Sequence, residues 1–159
     1  RLFISNFPRT SFFCQSVSLP DVTLGAVTLG TPFVAMPLPG DHLEFSPLIC
    51  LVTVDEQLDN YAEIFQWMSG AGFPDSFDQQ TTFQARQSTR LGIANTGRID
   101  TSDMSLIIYN NQKNHNRTFT FRNAWPRSLG GIEFRSNADD VNTIVASVSF
   151  AYTHFTLSV

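Results

Sequence analysis

The stretch that decides the fold class is VNTIVASVSFAYTHFTL, residues 141–157, near the end of the chain. Its polarity alternates with a period of two, which is the pattern of a β-strand that buries one face. The small and largely polar face includes Ser147, Ser149 and Thr153, and we expect it to line a lumen or to face water. The other face is apolar and is expected in the core, with Ile144, Ala146, Val148, Phe150 and Tyr152. The pattern predicts one long antiparallel strand.

Shorter runs of β-branched and aromatic residues predict the remaining strands. Residues 12–19 and 42–54 form strands in the first third, and Pro47 marks a bulge or a strand switch in the second of them. The final third predicts an antiparallel meander with further strands at residues 104–109, 118–125 and 132–134. The fold class predicted for the chain is therefore mainly β, an antiparallel β-sandwich or half-barrel.

One amphipathic helix is predicted between Asp55 and Gly70. Asp55 is the expected N-terminal cap, and Gly70 is the expected end. The apolar side chains recur at helical spacing, at Leu58, Tyr61, Ile64, Phe65 and Met68. No second helix of similar quality is evident, so the stripe is expected to pack on the sheet, with Phe65 and Trp67 covering it; a groove for a partner is the alternative.

Two segments interrupt this pattern and are expected to be extended loops, at about residues 22–41 and 70–101. The first contains exposed-looking apolar residues among Pro and Gly, and it predicts an extended loop or a detached hairpin. Its side chains are the candidate subunit interface, because apolar residues outside a core mark a contact: Val27, Leu29, Phe33, Val34 and Met36. The second segment is polar and indicates a functional or subunit-contacting loop, with a disordered insertion as the alternative.

Composition limits the function classes. The 159 residues fit a single domain spanning residues 1–159, and the absence of any long apolar run predicts a protein that does not enter a membrane. Fourteen acidic and ten basic residues give a formal charge of −4, which disfavours tight binding to DNA. The chain contains a single lysine, Lys113. Because exposed sheet edges are commonly protected by lysine, this scarcity hints at edges that pair with neighbouring subunits.

The residues that could carry chemistry do not form a recognisable site. His42, His115 and His154 lie far apart, and the paired carboxylates fall at element boundaries, where Asp caps and terminates structure. Cys14 and Cys50 lie inside apolar runs and are expected as two buried thiols, with a disulfide as the alternative in an oxidising compartment. We therefore expect no catalytic residue, no cofactor and no metal ion, and the chain is not expected to be an enzyme.

A series of short motifs, taken in order, resembles a known family. The first half contains Phe13-Cys14-x4-Leu19-Pro20, Pro39-Gly40-Asp41-x3-Phe45-x-Pro47-Leu48 and Val54-Asp55-Glu56-x3-Asn60-Tyr61-x5-Trp67. The second half contains Arg117-x-Phe119-x-Phe121, Ala124-Trp125-Pro126, Leu129-Gly130-Gly131-Ile132-Glu133-Phe134 and Phe150-Ala151-Tyr152. Together they resemble the tail tube proteins of contractile-tailed bacteriophages and their tube-initiating baseplate relatives, over most of residues 12–155.

The resemblance implies a fold, a function and a location. It implies a β-sandwich or half-barrel with one flanking helix, of which six copies join their sheets into a ring around a channel. Stacked rings would form a tube in the phage tail, in contact with sheath and baseplate proteins, and DNA would pass through the tube without tight binding. A tube repeat, a tube initiator and a terminator or hub component would share this fold.

A different class is also compatible with the pattern. Many short strands with aromatic side chains fit a jelly-roll capsid protein or a carbohydrate-binding module. Binding of glycans through aromatic residues in the loops would favour that alternative over a tube protein.

Overall fold

The computed structural model describes residues 1–5, 7, 13–30, 32–72, 74–76, 78–91, 101–134 and 143–158. Within them no helix is long and apolar enough to cross a membrane. These residues form two helices, α1 (Asp59–Gly72) and α2 (Asp78–Leu91). They also form nine strands: β1 (Leu2–Ile4), β2 (Cys14–Ser18), β3 (Val22–Gly30), β4 (Ala35–Phe45), β5 (Leu48–Thr53), β6 (Ser102–Tyr109), β7 (His115–Leu129), β8 (Val145–Ala151) and β9 (His154–Ser158).

Seven strands form one antiparallel sheet in the order β1-β6-β7-β8-β5-β2, with β9 paired to β7 outside this path. The long strand β7 serves two layers, because its first half pairs with β6 and β9 and its second half pairs with β8. It changes direction at Asn123, whose φ of 52° is left-handed. The carboxylate of Asp103 stabilises this corner by accepting hydrogen bonds from the Asn123 amide, at 3.1 Å, and from Arg122. The predicted mainly β, antiparallel fold class is confirmed.

The core lies between the layers and beneath helix α1. Trp67 of the helix is buried, stacks on Phe7 with ring centroids 4.1 Å apart, and lies 6.1 Å from Phe150 of β8. As predicted, alternate residues of β8 face this core, including Val148 and Phe150. Burial of such large apolar side chains is the main favourable term in folding.

Two strand predictions in the last third are wrong. The stretch 141–157 is not one strand, because the chain bends at residues 152–153 and divides into β8 and β9, which pair with successive parts of the same edge of β7. Residues 132–134 are not a strand, and β7 instead continues through Pro126 to Leu129. A bulge between Pro126 and Ser128 accommodates the proline, which cannot donate to the ladder. Residues 141 and 142 lie outside the described part of the chain.

The predicted helix exists, but its start and its buried face differ from the prediction. Asp55 is not its cap: a turn follows it, and α1 begins after Leu58, whose φ is 58°. The buried residues are Asn60, Ile64, Trp67 and Gly70, whereas Phe65 is 58% exposed. Asn60 orients the helix, because its side-chain amide donates to the Thr53 carbonyl oxygen at 2.5 Å, and its Oδ1 accepts from the amides of Asp55 and Tyr61.

The expectation of an extended loop at residues 70–101 is wrong for much of that segment. Residues 78–91 form helix α2, which packs against α1. Its sequence, DQQTTFQARQSTRL, has no apolar stripe, so periodicity could not reveal it. Residues 92–100 lie outside the described part of the chain.

Candidate subunit interface

The two strands between β2 and β5 leave the body of the protein as a separate two-stranded sheet. We call this hairpin, residues 22–45, the arm; β3 and β4 pair only with each other among the described residues. Of the alternatives predicted for residues 22–39, a loop or a detached hairpin, the structure shows the hairpin. Every described residue of the arm is exposed except Gly40 and Phe45, which are half-buried.

Aromatic contacts and hydrogen bonds fix the base of the arm. Phe45 packs edge-on against Phe155 of β9, with ring centroids 5.4 Å apart, and lies 6.1 Å from Tyr152. The Tyr152 hydroxyl donates to the Ser46 carbonyl oxygen at 2.8 Å, and the Ser46 amide donates to the Asp21 carbonyl oxygen at 3.0 Å. Partial burial raises the pKa of Tyr152 to about 12, so the hydroxyl is a donor at neutral pH. These contacts give the arm a defined direction where it leaves the body.

The outer half of the arm presents one apolar face. Val27 pairs with Leu38, and Leu29 pairs with Met36. Directly opposite residues of an antiparallel pair share a face, so these four side chains form one surface, which we call the arm face. Phe33 and Val34 extend it at the tip, and Phe33 is 96% exposed. The five predicted interface residues, Val27, Leu29, Phe33, Val34 and Met36, are therefore brought together, and Leu38 joins them.

A close backbone approach divides the arm into two halves. A Cβ on Gly40 would lie 2.4 Å from the carbonyl oxygen of Gly25, so only glycine fits at this position. The register is irregular here, between Leu24 and Ala26. The Gly40 position thus accounts for the irregular step between the base of the arm and the arm face.

A second candidate surface is the outer side of the sheet around β8. Two rows of side chains cross β2, β5 and β8: Ser18, Ile49 and Ser149 form one row, and Ser16, Leu51 and Ser147 form the other. Ser128 of β7 extends the first row, and its Oγ lies 2.6 Å from that of Ser149. We call these seven residues the serine face; it carries no charge, although the exposed Arg127 lies next to it at the bulge of β7.

Of the three residues predicted to face a lumen, two lie on the serine face. Ser147 and Ser149 occupy adjacent outward positions of β8. Thr153 instead lies in the bend that follows, where its amide donates to the Arg122 carbonyl oxygen at 3.0 Å and its hydroxyl accepts from Asn123. The structure therefore separates Thr153 from the two serines.

No catalytic constellation is brought together in the described residues. They contain no group of three or more His, Cys, Asp or Glu side chains placed to hold a metal ion. His42 contacts its neighbour Asp41 on the exposed arm, and His115 contacts Thr118. A cavity of about 300 Å³ between α1 and α2 is lined by polar side chains, among them Gln66, Ser76 and Gln79.

Sequence reasoning missed part of both surfaces. Leu38 lies between Pro37 and Pro39, which indicated irregular chain, yet its register partner is Val27. Ile49 and Leu51 alternate with the buried Leu48, Cys50 and Val52, and that alternation was a usable signal for an outward apolar pair.

No family model matches the chain. It is 25% identical, over 162 residues, to the tail tube terminator protein of Enterobacteria phage T4, covering 96% of this chain and 84% of the relative.

Two solved assemblies share its fold. The first is the sheath/tube terminator of the extracellular contractile injection system PVC in its extended state, with a TM-score of 0.59, 14% identity, and coverage of 92% of this chain and 85% of the other. The second is the PVC sheath–tube complex, with a TM-score of 0.60, 14% identity, and coverage of 99% and 86%. At this identity the structural matches show a common fold.

Proposed function

We propose that this chain is the structural subunit that terminates a tail tube. Its predicted relationship to the tail tube-related proteins of contractile systems is confirmed. In the proposal, copies of it form a ring at one end of the tube of a phage tail. The ring contacts the last tube ring and the sheath, and it leaves a channel open for DNA. Six copies per ring, as the family resemblance implies, is part of the proposal.

The observation that carries the terminator role is the sequence match to a tail tube terminator protein. It spans 96% of this chain and 84% of the relative. The structural match to another tube terminator, of similar coverage, shows that the fold is compatible with this role. The role of a terminator is mechanical, and nothing in the described residues calls for catalysis.

The arm supports assembly into a larger structure. Its four facing aliphatic side chains and the two apolar side chains at its tip are between 44% and 96% exposed in the single chain. A contiguous apolar surface of this kind marks a contact, because leaving it in water is unfavourable. The anchored base holds the arm away from the body, so its face is available to a second subunit.

The serine face is proposed to line the channel. Short hydroxyl side chains take little room, and a surface without clustered Lys or Arg releases few counterions from DNA and so holds it weakly. Helix α1 covers the opposite side of this sheet through Trp67, which is consistent with the serine face pointing to the axis of a ring. The outward position of Ser147 and Ser149 is also what an ordinary solvent-facing strand would have, and the Arg variants described in the Discussion distinguish the two.

The roles of tube initiator and jelly-roll module are less well supported. A baseplate initiator would share the tube fold, but the curated relative is a terminator. A jelly-roll capsid or carbohydrate-binding module would not be expected to match tube assemblies over more than nine-tenths of the chain.

The proposed function is tested by assembly of the purified protein. Electron microscopy and native mass spectrometry should find closed rings and no long tubes. Added to the ends of preformed tubes, the rings should stop further elongation. Spontaneous growth of long tubes would indicate a tube repeat. The proposal would be overturned if neither the ring nor the monomer bound to tube ends.

A further inference from the structure

The two cysteines lie on neighbouring strands and on the same face. Cys14 of β2 is opposite Val52 of β5, and Val17 is opposite Cys50. Gln15 and Ser16 both point outward at the irregular step between these pairs, so Cys14 and Val17 both face the core. Cys14 and Cys50 are therefore diagonal neighbours on the inner face of the sheet.

Each thiol also affects the protonation of the other. A hydrogen bond between the side chains lowers the pKa of Cys14 and raises the pKa of Cys50, and burial raises the pKa of Cys50 further. The direction of the two shifts favours Cys14 as the attacking sulfur, since the thiolate is the nucleophile.

The two thiols also differ in accessibility, and Cys14 is the more accessible of the two. Cys50 is fully buried, with no exposed surface, whereas Cys14 is only partly buried. Cys14 lines an open cavity of about 480 Å³ between β2 and the strands β1 and β6. A small molecule that enters this cavity reaches Cys14 before Cys50.

We propose that Cys14 and Cys50 form a redox-active dithiol that closes to a disulfide, with a low-molecular-weight disulfide as the oxidant. The Cys14 thiolate attacks one sulfur of the oxidant and expels the other as a thiolate, which leaves a mixed disulfide on Cys14. Cys50 then gives up its proton and attacks the Cys14 sulfur, which releases the second small thiol. The protein loses two electrons and two protons, and the oxidant becomes two thiols.

Closure would cross-link the strands on either side of the arm. β2 precedes the arm and β5 follows it, so the bond closes residues 14–50 into a loop that contains all of β3 and β4. The sulfurs must approach to about 2.05 Å, which requires a rotation of the Cys14 side chain on the terminal strand β2. The arm would then be covalently fixed at its base. The dithiol would act in this way whether or not the chain terminates a tube.

The experiment is oxidation of the purified, folded chain with oxidised glutathione, followed by intact mass spectrometry without reductant. The wild-type protein should lose two hydrogens and bind no glutathione at the end of the reaction. Its melting temperature should rise by roughly 5–15 °C, because the cross-link restricts the unfolded chain. Circular dichroism before and after the reaction verifies that the fold is retained.

Two single variants separate the roles of the thiols. Cys50→Ser should retain one glutathione on residue 14, because the resolving thiol is gone. Cys14→Ser should bind none in the folded state, because Cys50 is buried. The proposal is overturned if the wild-type protein keeps both thiols free, retains glutathione on Cys14, or forms only disulfide-linked dimers.

Discussion

The hydroxyl of Tyr152 donates a hydrogen bond to the carbonyl oxygen of Ser46 at 2.8 Å, at the point where the arm rejoins the body of the protein. Tyr152 follows β8, so this contact links a core strand to the base of an exposed hairpin. Phe45 packs on Tyr152 and on Phe155 at the same place. The body thereby sets the direction in which the arm presents its apolar face.

Tyr152→Phe should lower the free energy of unfolding by about 0.5–1.5 kcal/mol at pH 7, through loss of this hydrogen bond. The pKa of Tyr152 is raised by burial from 10.0 to about 12, so its neutral form is favoured in the folded state. The stability that the neutral hydroxyl contributes is fully present below pH 10 and is lost as the pH rises from about 10 to about 12. Urea titrations of both proteins across this range should show their stabilities converging, and a constant difference would contradict the assignment.

Phe33→Asp should weaken assembly and leave folding intact. Phe33 is 96% exposed at the tip of the arm, so its replacement should change stability by less than about 0.5 kcal/mol. A charge in a contact that excludes water should weaken association at least about tenfold, measured by mass photometry or by binding to tube ends. Thr28→Asp is the matched control, because Thr28 is an exposed residue on the face of β3 opposite the arm face. Normal assembly of Phe33→Asp would exclude the tip from the interface.

Trp67→Ala should cost about 3–5 kcal/mol of unfolding free energy, because Trp67 is buried against Phe7 and Phe150. Phe65→Ala on the same helix should cost less than about 1 kcal/mol, because Phe65 is 58% exposed. The sequence alone predicted that Phe65 covers the sheet together with Trp67, and the structure overturns that expectation for Phe65. Urea denaturation of the two variants tests the buried face of α1, and equal losses would contradict it.

Replacement of Ser147 and Ser149 together by Arg should leave assembled tails that deliver DNA poorly. Two guanidinium groups on the serine face would bind phosphate and retard a passing duplex. The double variant with Gln at both positions adds comparable bulk without charge, and it should deliver DNA much better. Infectivity per assembled particle is the measurement. Equal delivery of DNA by the Arg variant and the wild-type protein would show that the serine face does not line the channel.

Strands whose residues alternate regularly between apolar and polar could be predicted from the sequence, and the bends between strands could not. The inward face of β8 followed directly from its period of two, but the bend after Tyr152 carries no glycine or proline, and the alternation continues past it into β9. Nothing in the pattern signals the bend, because β8 and β9 pair with β7 in the same register on either side of it. The bend lies opposite the corner of β7 at Asn123, which is held by Asp103, a residue distant in sequence.

The helices show a different limit. The apolar residues of α1 span a broad arc, and periodicity does not decide which edge of that arc is buried. The buried amide of Asn60 decides it, through hydrogen bonds to the backbone around Thr53 and Asp55. The residues of the arm face could be predicted as an exposed set, but their common face follows from a register that the two prolines of β4 obscure.

The most direct test of the terminator role is the position of this protein on an intact tail. Gold-labelled antibodies against it should mark one end of the tube in electron micrographs, with no label along the tube length. Label distributed along the tube would contradict the account and identify a tube repeat. Tails without label would show that the protein is not a component of the tail.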